Sequence, residues 1–211
     1  AHLWQVPWGK HNPVEWRGQH YAPSNKVENV SLVLPVVMVK DPLTWMRSMC
    51  RKPYAASFNN RGARCPSPVE STKTNVAWQP TEHYFYKSLI HLWSSWNRAY
   101  IDLETPRLMI RYEDLLFNPE PTLQKICRCA GGTPASGATF RQQENSAKSG
   151  PGHGDGGSNR AKALSTYSSM DVRMADYSKS DVDYIQRYWD LELAQSLHYH
   201  LDFAMLGNST T

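Results

Sequence analysis

One apolar run constrains the fold more than any other feature of this 211-residue sequence. Residues 32–39 are nearly all apolar and rich in Val. Such a run predicts a strand buried on both faces, as in a parallel sheet. Lys40 follows it, and Asp41 and Pro42 then offer a cap and a first position for a helix to about Arg51. This order predicts an α/β fold with a parallel sheet flanked by helices.

The rest of the chain shows a second strand, a long helix and two long loops. Large apolar side chains at helical spacing predict an amphipathic helix over residues 82–100. Residues 107–112 are predicted to form the second short strand. Frequent proline, glycine and polar residues predict a surface loop over 55–80 and a flexible one over 132–160.

Two further helices are predicted from their capping residues. One begins after a cap at Asn118 and ends before Gly131. The other begins at a capping box formed by Ser180 and Asp183 and runs to about Leu197.

Length and composition restrict the class of protein. A hydrophobic content of 40% is enough for a single α/β domain over residues 1–211. The net charge of +4 suits an anionic ligand, but Lys and Arg form no block, so no nucleic-acid partner is expected. No run of about eighteen apolar residues occurs, so we expect no membrane contact from this segment.

The four cysteines, Cys50, Cys65, Cys127 and Cys129, leave two possibilities open. A Cys50–Cys65 disulfide can form if the compartment is oxidising, and buried free thiols explain the same residues. Cys127 and Cys129 are two residues apart on a predicted helix, where they point in different directions and make poor joint metal ligands.

Two segments place polar residues where a ligand could bind. Lys40 stands at a strand end and Ser48 nearly two turns into the next helix, an arrangement that suits an anion, although an ordinary strand–helix corner explains it too. Tyr112 stands at the end of the second strand. Glu113 and Asp114 follow it, but adjacent acids diverge on a regular backbone, which favours turn and cap roles.

Together these segments resemble the two signatures of the sulfotransferase family. The first is an apolar strand, a basic residue, Asp-Pro, and Ser eight positions after the basic residue. The second is Tyr-Glu-Asp-Leu, then Asn-Pro and a helix that closes at Gly-Gly. Order and spacing agree, and the resemblance covers roughly residues 5–132, with a looser match to the C-terminal helix. It implies a P-loop NTPase-like sulfotransferase fold.

The resemblance also implies a nucleotide co-substrate, 3′-phosphoadenosine-5′-phosphosulfate (PAPS). Its 3′-phosphate would meet Lys40 and Ser48, and Tyr112 matches the family Tyr that lies near the adenine. Most members carry Arg where this chain has Lys40. Lysine keeps the charge but loses the bidentate fork, so tighter geometry or neighbouring donors would have to compensate.

A third match concerns the reacting groups. Residues 9–13, Gly-Lys-His-Asn-Pro, resemble a family segment that holds a Lys and the catalytic His, but are one residue shorter. The resemblance implies that His11 is the general base and that Lys10 stabilises the sulfonyl oxygens. A polar turn between prolines is the alternative. No metal is expected, because no acidic ligand set is visible.

One departure from the family concerns its Gly-rich loop for the 5′-phosphosulfate. No such loop precedes these motifs, and the Gly-rich stretch at 150–157 follows them. Lys148, Arg160 and Lys162 near it match no family position well. We therefore expect an N-terminally incomplete domain, inactive in isolation, or a degenerate family member.

The resulting hypothesis is a sulfotransferase that transfers a sulfonate group from PAPS to a hydroxyl, with carbohydrate as the candidate acceptor class. A non-catalytic relative that binds a nucleotide or glycan is the first alternative. Another nucleotide-dependent transferase, such as a kinase, is the second, but it needs a Walker-type Lys and a magnesium-binding Asp that the sequence does not show. The Golgi lumen is favoured over the cytoplasm, with any anchor outside this segment.

Overall fold

The computed structural model describes residues 14, 34–51, 53, 56–58, 74–79, 82–134, 139–142 and 159–201. The strands in these ranges are β1 (Val36–Val39), β2 (Ala56–Phe58), β3 (Thr74–Gln79), β4 (Glu82–Tyr86) and β5 (Leu108–Arg111). The helices are α1 (Pro42–Arg51), α2 (Leu89–Ile101), α3 (Tyr112–Phe117), α4 (Pro119–Cys129), α5 (Arg160–Ser168), α6 (Met170–Met174), α7 (Lys179–Tyr188) and α8 (Leu191–Ser196). The described part is a mixed α/β structure and mostly helical.

A small parallel sheet confirms the predicted class in its coarse form. Strands β1 and β5 pair in parallel, with Val36 opposite Leu108 and Val39 opposite Arg111. Helix α3 follows β5 directly, and the sheet packs against helices. The predicted strand at 107–112 is confirmed to within one residue at each end. Within the described residues this sheet has two strands.

The prediction that the first strand is buried on both faces is wrong. Val39 is 2% exposed, but Val36 and Met38 are 54% and 55% exposed. Side chains of a strand alternate between the two faces of a sheet, so Val36 and Met38 share the exposed face. An apolar run thus reports strand preference here and does not report burial. The strand is also shorter than predicted, because residues 34 and 35 are not part of it.

A second sheet occupies part of the region predicted as a loop and a helix start. Strands β2, β3 and β4 pair antiparallel in that order. The loop prediction over 55–80 is therefore wrong at β2 and β3, and the predicted helix begins at Leu89 and not at residue 82. Tyr84 and Phe85 fit a helical spacing with Leu89 and Leu92, but aromatic residues also favour strands, and pairing with β3 decides the outcome.

The chain divides into two compact units. The first comprises Ala1–Val39 and Trp96–Gln143, and the second Lys40–Ser95 and Glu144–Thr211. The single domain predicted over residues 1–211 stays a prediction. In the second unit the core is built by α1, the first half of α2, α7 and α8. Its fully buried side chains include Leu43, Met46, Leu89, Ile90, Ile185 and Leu193.

Helix α4 ends as its sequence predicts. Gly131 has a φ of +79°, which is the left-handed region that glycine enters without cost. Its N–H bonds the Arg128 carbonyl at 3.0 Å, and the N–H of Gly132 bonds the Cys127 carbonyl at 2.8 Å. These two bonds form a Schellman motif. At the other end, Asn118 holds the cap position, but its side chain makes no capping hydrogen bond.

The C-terminal capping box lies two residues before the predicted one. Ser178 and Asp181 cap α7, each through a side chain bonded to the backbone N–H of the other. The sequence fits both registers, since Ser180 and Asp183 have the same spacing. The helix also ends earlier, at Tyr188, and Asp190 then caps a separate helix, α8.

The cysteines fall into two states. Cys50 is disulfide-bonded, whereas Cys127 and Cys129 on α4 carry free thiols. Cys65, the partner that the sequence suggests, lies outside the described residues. The open choice between a disulfide and free thiols is therefore resolved for Cys50 in favour of a disulfide.

Candidate functional site

The backbone of Lys40 is fixed by a buried tryptophan. The Lys40 carbonyl accepts a hydrogen bond of 2.9 Å from the indole Nε1 of Trp93, in the buried half of α2. Trp93 in turn stacks on Trp189, with ring centroids 5.8 Å apart and planes 10° from parallel, and meets the edge of Tyr199. The residue at the strand end is thus held by the core of the second unit.

The N-terminus of α1 is capped by Asp41, as the sequence predicts. The Asp41 Oδ1 atom accepts from the Thr44 N–H at 2.9 Å, and the Thr44 hydroxyl donates to the Asp41 carbonyl at 3.0 Å. Pro42 at the first helical position has no N–H. Asp41 places a carboxylate at this helix end, and this negative charge disfavours a second anion on the backbone N–H groups there.

Lys40 and Ser48 meet although eight residues separate them. The Lys40 Nζ donates to the Ser48 Oγ at 2.5 Å, and the Ser48 hydroxyl donates to the Thr44 carbonyl at 2.9 Å. Both side chains are partly buried. The structure therefore brings together the two residues that the spacing singled out, an ammonium group and a hydroxyl group, on one side of α1.

Tyr167 of α5 is a third member of this group. The Lys40 Nζ lies over the Tyr167 ring, 5.5 Å from its centroid. At this distance the ring quadrupole attracts the ammonium group. Sequence reasoning missed Tyr167, since it lies in no motif and is more than a hundred residues from Lys40.

A set of polar contacts joins α1 to residues 172–177. The Asp41 carboxylate, 1% exposed, pairs with the Arg173 guanidinium at 2.7 Å. Arg47 donates to the Val172 carbonyl at 2.9 Å and pairs with Asp176 at 2.6 Å. These contacts fix the segment that follows α5 against the helix that follows Lys40.

Tyr177 adds a partly buried hydrogen bond to the same junction. Its hydroxyl donates to the Leu43 carbonyl at 2.8 Å. Burial raises the pKa of Tyr177 well above its ordinary value, and the neighbouring Asp41 carboxylate raises it further, while Arg47 acts in the opposite direction. Tyr177 is therefore a neutral donor at physiological pH. Neither Tyr177 nor Arg173 carries a sequence signal that marks it as a neighbour of α1.

Tyr112 belongs to the first unit and is the first residue of α3. Burial raises its pKa, and the adjacent Glu113 carboxylate adds to the effect. Asp114 pairs with Arg111 through two hydrogen bonds, of 2.7 and 3.2 Å. Asp114 thus holds the strand end against the first turn of α3 through an ion pair. It lies within the helix and its carboxylate caps no helix end, so the turn and cap role predicted for it is not observed. The assignment of Tyr112 to an adenine stays a prediction.

The residues predicted to react lie outside the described part of the chain. These residues are Lys10 and His11. Lys148, one of the three cations near the Gly-rich stretch, also lies outside the described residues. Arg160 and Lys162, the other two cations near that region, lie in the first turn of α5, where Asn159 caps the helix by accepting from the Lys162 N–H.

Comparison with known proteins gives no relative. No family model matches this chain, and no curated protein or solved structure matches it either. Among the described residues, no group of three or more His, Cys, Asp or Glu side chains is arranged to hold a metal ion. No helix in those ranges is long and apolar enough to cross a membrane.

The side chains around Lys40 are suited to binding an anion. A lysine ammonium carries three donors and a full charge, and a serine hydroxyl can turn from the Thr44 carbonyl to another acceptor. A dianionic phosphate can accept charge-assisted hydrogen bonds from both groups. The group formed by Lys40, Ser48 and Tyr167, hereafter the Lys40 site, is thus a candidate site for a phosphate monoester.

Proposed function

We propose that this chain belongs to a sulfotransferase that uses PAPS, and that the Lys40 site receives the 3′-phosphate of the nucleotide. The 2.5 Å contact between the Lys40 Nζ and the Ser48 Oγ carries the proposal. If the motif is that of a sulfotransferase, the two side chains must converge on one phosphate. A chance match of the spacing gives no reason for them to lie together.

Further observations support the same proposal. A parallel strand ends beside Lys40, and ligands of open α/β sheets bind at the carboxyl ends of strands. The P-loop NTPase-like fold implied by the motifs contains a parallel sheet. The parallel pair of β1 and β5 is compatible with this fold. The disulfide at Cys50 fits an oxidising compartment, in line with a Golgi-lumenal enzyme.

The proposed reaction moves one sulfonate group between two oxygens. The acceptor hydroxyl, with carbohydrate as the candidate class, attacks the sulfur of PAPS and gives its proton to His11. The bond from sulfur to the phosphate oxygen breaks, and 3′-phosphoadenosine 5′-phosphate (PAP) leaves. Lys10 stabilises the sulfonyl oxygens in the transition state. Lys40 and Ser48 hold the 3′-phosphate of the nucleotide.

The binding step is tested by comparing PAP with AMP, which lacks the 3′-phosphate. We expect isothermal titration of the 211-residue chain to give at least about tenfold tighter binding of PAP, because each charge-assisted hydrogen bond contributes about 1.5–3 kcal/mol. Lys40→Ala and Ser48→Ala should each reduce this preference. Equal affinities of the unmodified chain for PAP and AMP would contradict the proposal.

Matched controls separate the site from general effects of charge and hydroxyl loss. Lys179→Ala removes an exposed lysine from α7, and Ser196→Ala removes a hydroxyl that donates to the Leu193 carbonyl much as Ser48 donates to that of Thr44. Both should keep the preference for PAP.

The enzymatic step needs its own assay. We expect the complete gene product to transfer labelled sulfonate from PAPS to hydroxylated acceptors, carbohydrates among them. Binding of PAP without any transfer would favour the alternative, a non-catalytic module that binds the nucleotide.

A further inference from the structure

Lysine at position 40 fixes a phosphate less firmly than the arginine that most family members carry there. Its ammonium group stands on a flexible four-carbon stem and is a compact point charge. An arginine would instead offer a rigid fork that matches two phosphate oxygens. A lysine binds a phosphate more tightly if its ammonium group is held in place before the ligand arrives.

Two contacts within the described part of the chain help to hold that ammonium group. The Ser48 Oγ accepts from it at 2.5 Å, and the Tyr167 ring lies beneath it at 5.5 Å. These contacts differ in kind, because the serine can also bind the phosphate whereas the ring face attracts cations and not anions. The tyrosine ring can therefore keep its contact with Lys40 when a phosphate is bound.

The residues that follow Tyr167 are bound to the start of α1, next to Lys40. Arg173, six residues after Tyr167, pairs with Asp41, the residue that follows Lys40. The Tyr177 hydroxyl bonds the Leu43 carbonyl in the first turn of α1. Both partners of the contact between Lys40 and Tyr167 thus have anchored neighbours, so the contact is reproducible and costs little entropy when the ligand binds.

We propose that Tyr167 is a positioning residue that fixes the Lys40 ammonium group for the 3′-phosphate and so compensates for the missing arginine. This inference rests on the proposed function of the Lys40 site. A cation–π contact of a partly exposed pair corresponds to about a two- to fivefold change in affinity. The effect should appear only with ligands that carry the 3′-phosphate.

The experiment combines substitutions at both positions. Tyr167→Phe keeps the ring, whereas Tyr167→Leu and Tyr167→Met remove it at similar size, and each is made with Lys40 and with Lys40→Ala. PAP and AMP affinities are measured by isothermal titration on the 211-residue chain, and folding by thermal unfolding. The second ring-free variant serves if the first does not fold.

The expected pattern is selective. Tyr167→Phe should bind PAP as the unmodified chain does. Tyr167→Leu should weaken PAP about two- to fivefold and leave AMP unchanged, and should cause no further loss in Lys40→Ala. Lys40→Arg should restore PAP binding in the Tyr167→Leu background, because the guanidinium fork needs less support.

Three outcomes would overturn the inference. Tyr167→Leu and Tyr167→Met could leave PAP binding unchanged, could weaken AMP as much as PAP, or could weaken PAP equally with and without Lys40. In these cases the unmodified chain still prefers PAP, so the function of the site stands. If the unmodified chain shows no preference for PAP, the proposed function fails and the inference fails with it.

Discussion

At the scale of single residues, the pair of Asp41 and Arg173 decides how firmly the Lys40 site is held. Asp41 is almost fully buried, and its second oxygen caps α1. Loss of one partner of a buried ion pair leaves the other charge uncompensated. We therefore expect Arg173→Met to lower the free energy of unfolding by about 3 kcal/mol, at the lower end of the range for such pairs. Urea denaturation measures the change.

The neighbouring pair of Arg47 and Asp176 provides the control. Its side chains are 24% and 48% exposed, so its charges are partly solvated, in contrast to the buried Asp41 carboxylate. Arg47→Met should cost about 1 kcal/mol or less. Because asparagine keeps the cap without the charge, adding Asp41→Asn to Arg173→Met should recover part of the lost stability. An equal cost for the Arg47 and Arg173 variants would show that burial of Asp41 does not govern this junction.

Tyr177 should make stability depend on pH in the alkaline range. The unfolded chain loses the phenol proton near pH 10, whereas the folded chain keeps it to higher pH because burial raises the pKa of Tyr177. Above pH 10 the unfolded state therefore binds fewer protons, and the free energy of unfolding falls as pH rises. The stabilisation is complete below pH 10 and is lost towards the higher folded-state pKa.

Comparison with Tyr177→Phe isolates this effect. Near pH 8 the variant should be less stable by about 1 kcal/mol, because the Leu43 carbonyl loses its donor. Between pH 10 and 11 the difference between the two proteins should shrink. Urea denaturation over pH 8–11 measures it, and a constant difference would show that Tyr177 titrates alike in both states.

At the scale of elements, the end of α4 depends on the backbone conformation of Gly131. A Cβ atom at this position would meet nothing within 4 Å, so Gly131→Ala costs only the strain of a φ of +79°. We expect a loss of about 1 kcal/mol from Gly131→Ala. Gly131→Asn should lose less, since asparagine tolerates the left-handed region. Thermal unfolding of the two variants tests the order, and equal losses would contradict it.

Elements with local signals could be predicted from the sequence. Asp41 and Pro42 mark the start of α1, Pro119 and Gly131 mark the two ends of α4, and all three boundaries agree with the structure. These signals work because a cap or a glycine acts on the backbone within a few residues. The capping box of α7 shows the limit, since two registers satisfied the same local rule.

The sheet of β2, β3 and β4 could not be predicted, because no local signal specifies which strands pair. Its strands are stabilised by partners, and β2 lies fifteen residues before β3. The aromatic residues around Phe85 favour a strand, whereas their spacing fits a helix. Only pairing with a neighbouring strand decides which of the two forms. Phe85 itself is 69% exposed, so the helical spacing does not mark a buried side chain at this position.

The candidate site also combines residues that local spacing predicts with residues that only distant contacts bring together. Lys40 and Ser48 lie on one strand–helix corner, where spacing alone indicates that they can meet. Arg173 and Tyr177 contact α1 across 132 and 134 residues, and Tyr167 reaches Lys40 across a similar separation. A single sequence carries no signal for such contacts, because they arise from the packing of α5 and α6 and not from a motif.

At the scale of the whole molecule, the proposed function predicts that the nucleotide stabilises the fold. A ligand that binds only the folded state adds about 2.7 kcal/mol at 100 times its dissociation constant. For a chain of this length that corresponds to a rise in the unfolding midpoint of about 5–10 °C. PAP should raise the midpoint in a concentration-dependent way, and Lys40→Ala should reduce the rise because the 3′-phosphate loses its cation.

His11 should behave differently from Lys40, because the two residues are assigned to different steps. In the complete gene product, His11→Ala should keep the rise in unfolding midpoint with PAP, since a general base makes no contact with the 3′-phosphate. Sulfonate transfer should fall by about 10²–10⁴-fold, the range of general acid–base catalysis. Thermal unfolding and transfer of labelled sulfonate, measured on the same preparations, separate the two effects. A variant that loses the midpoint rise together with turnover would place His11 in nucleotide binding, and unchanged turnover would remove it from the reaction.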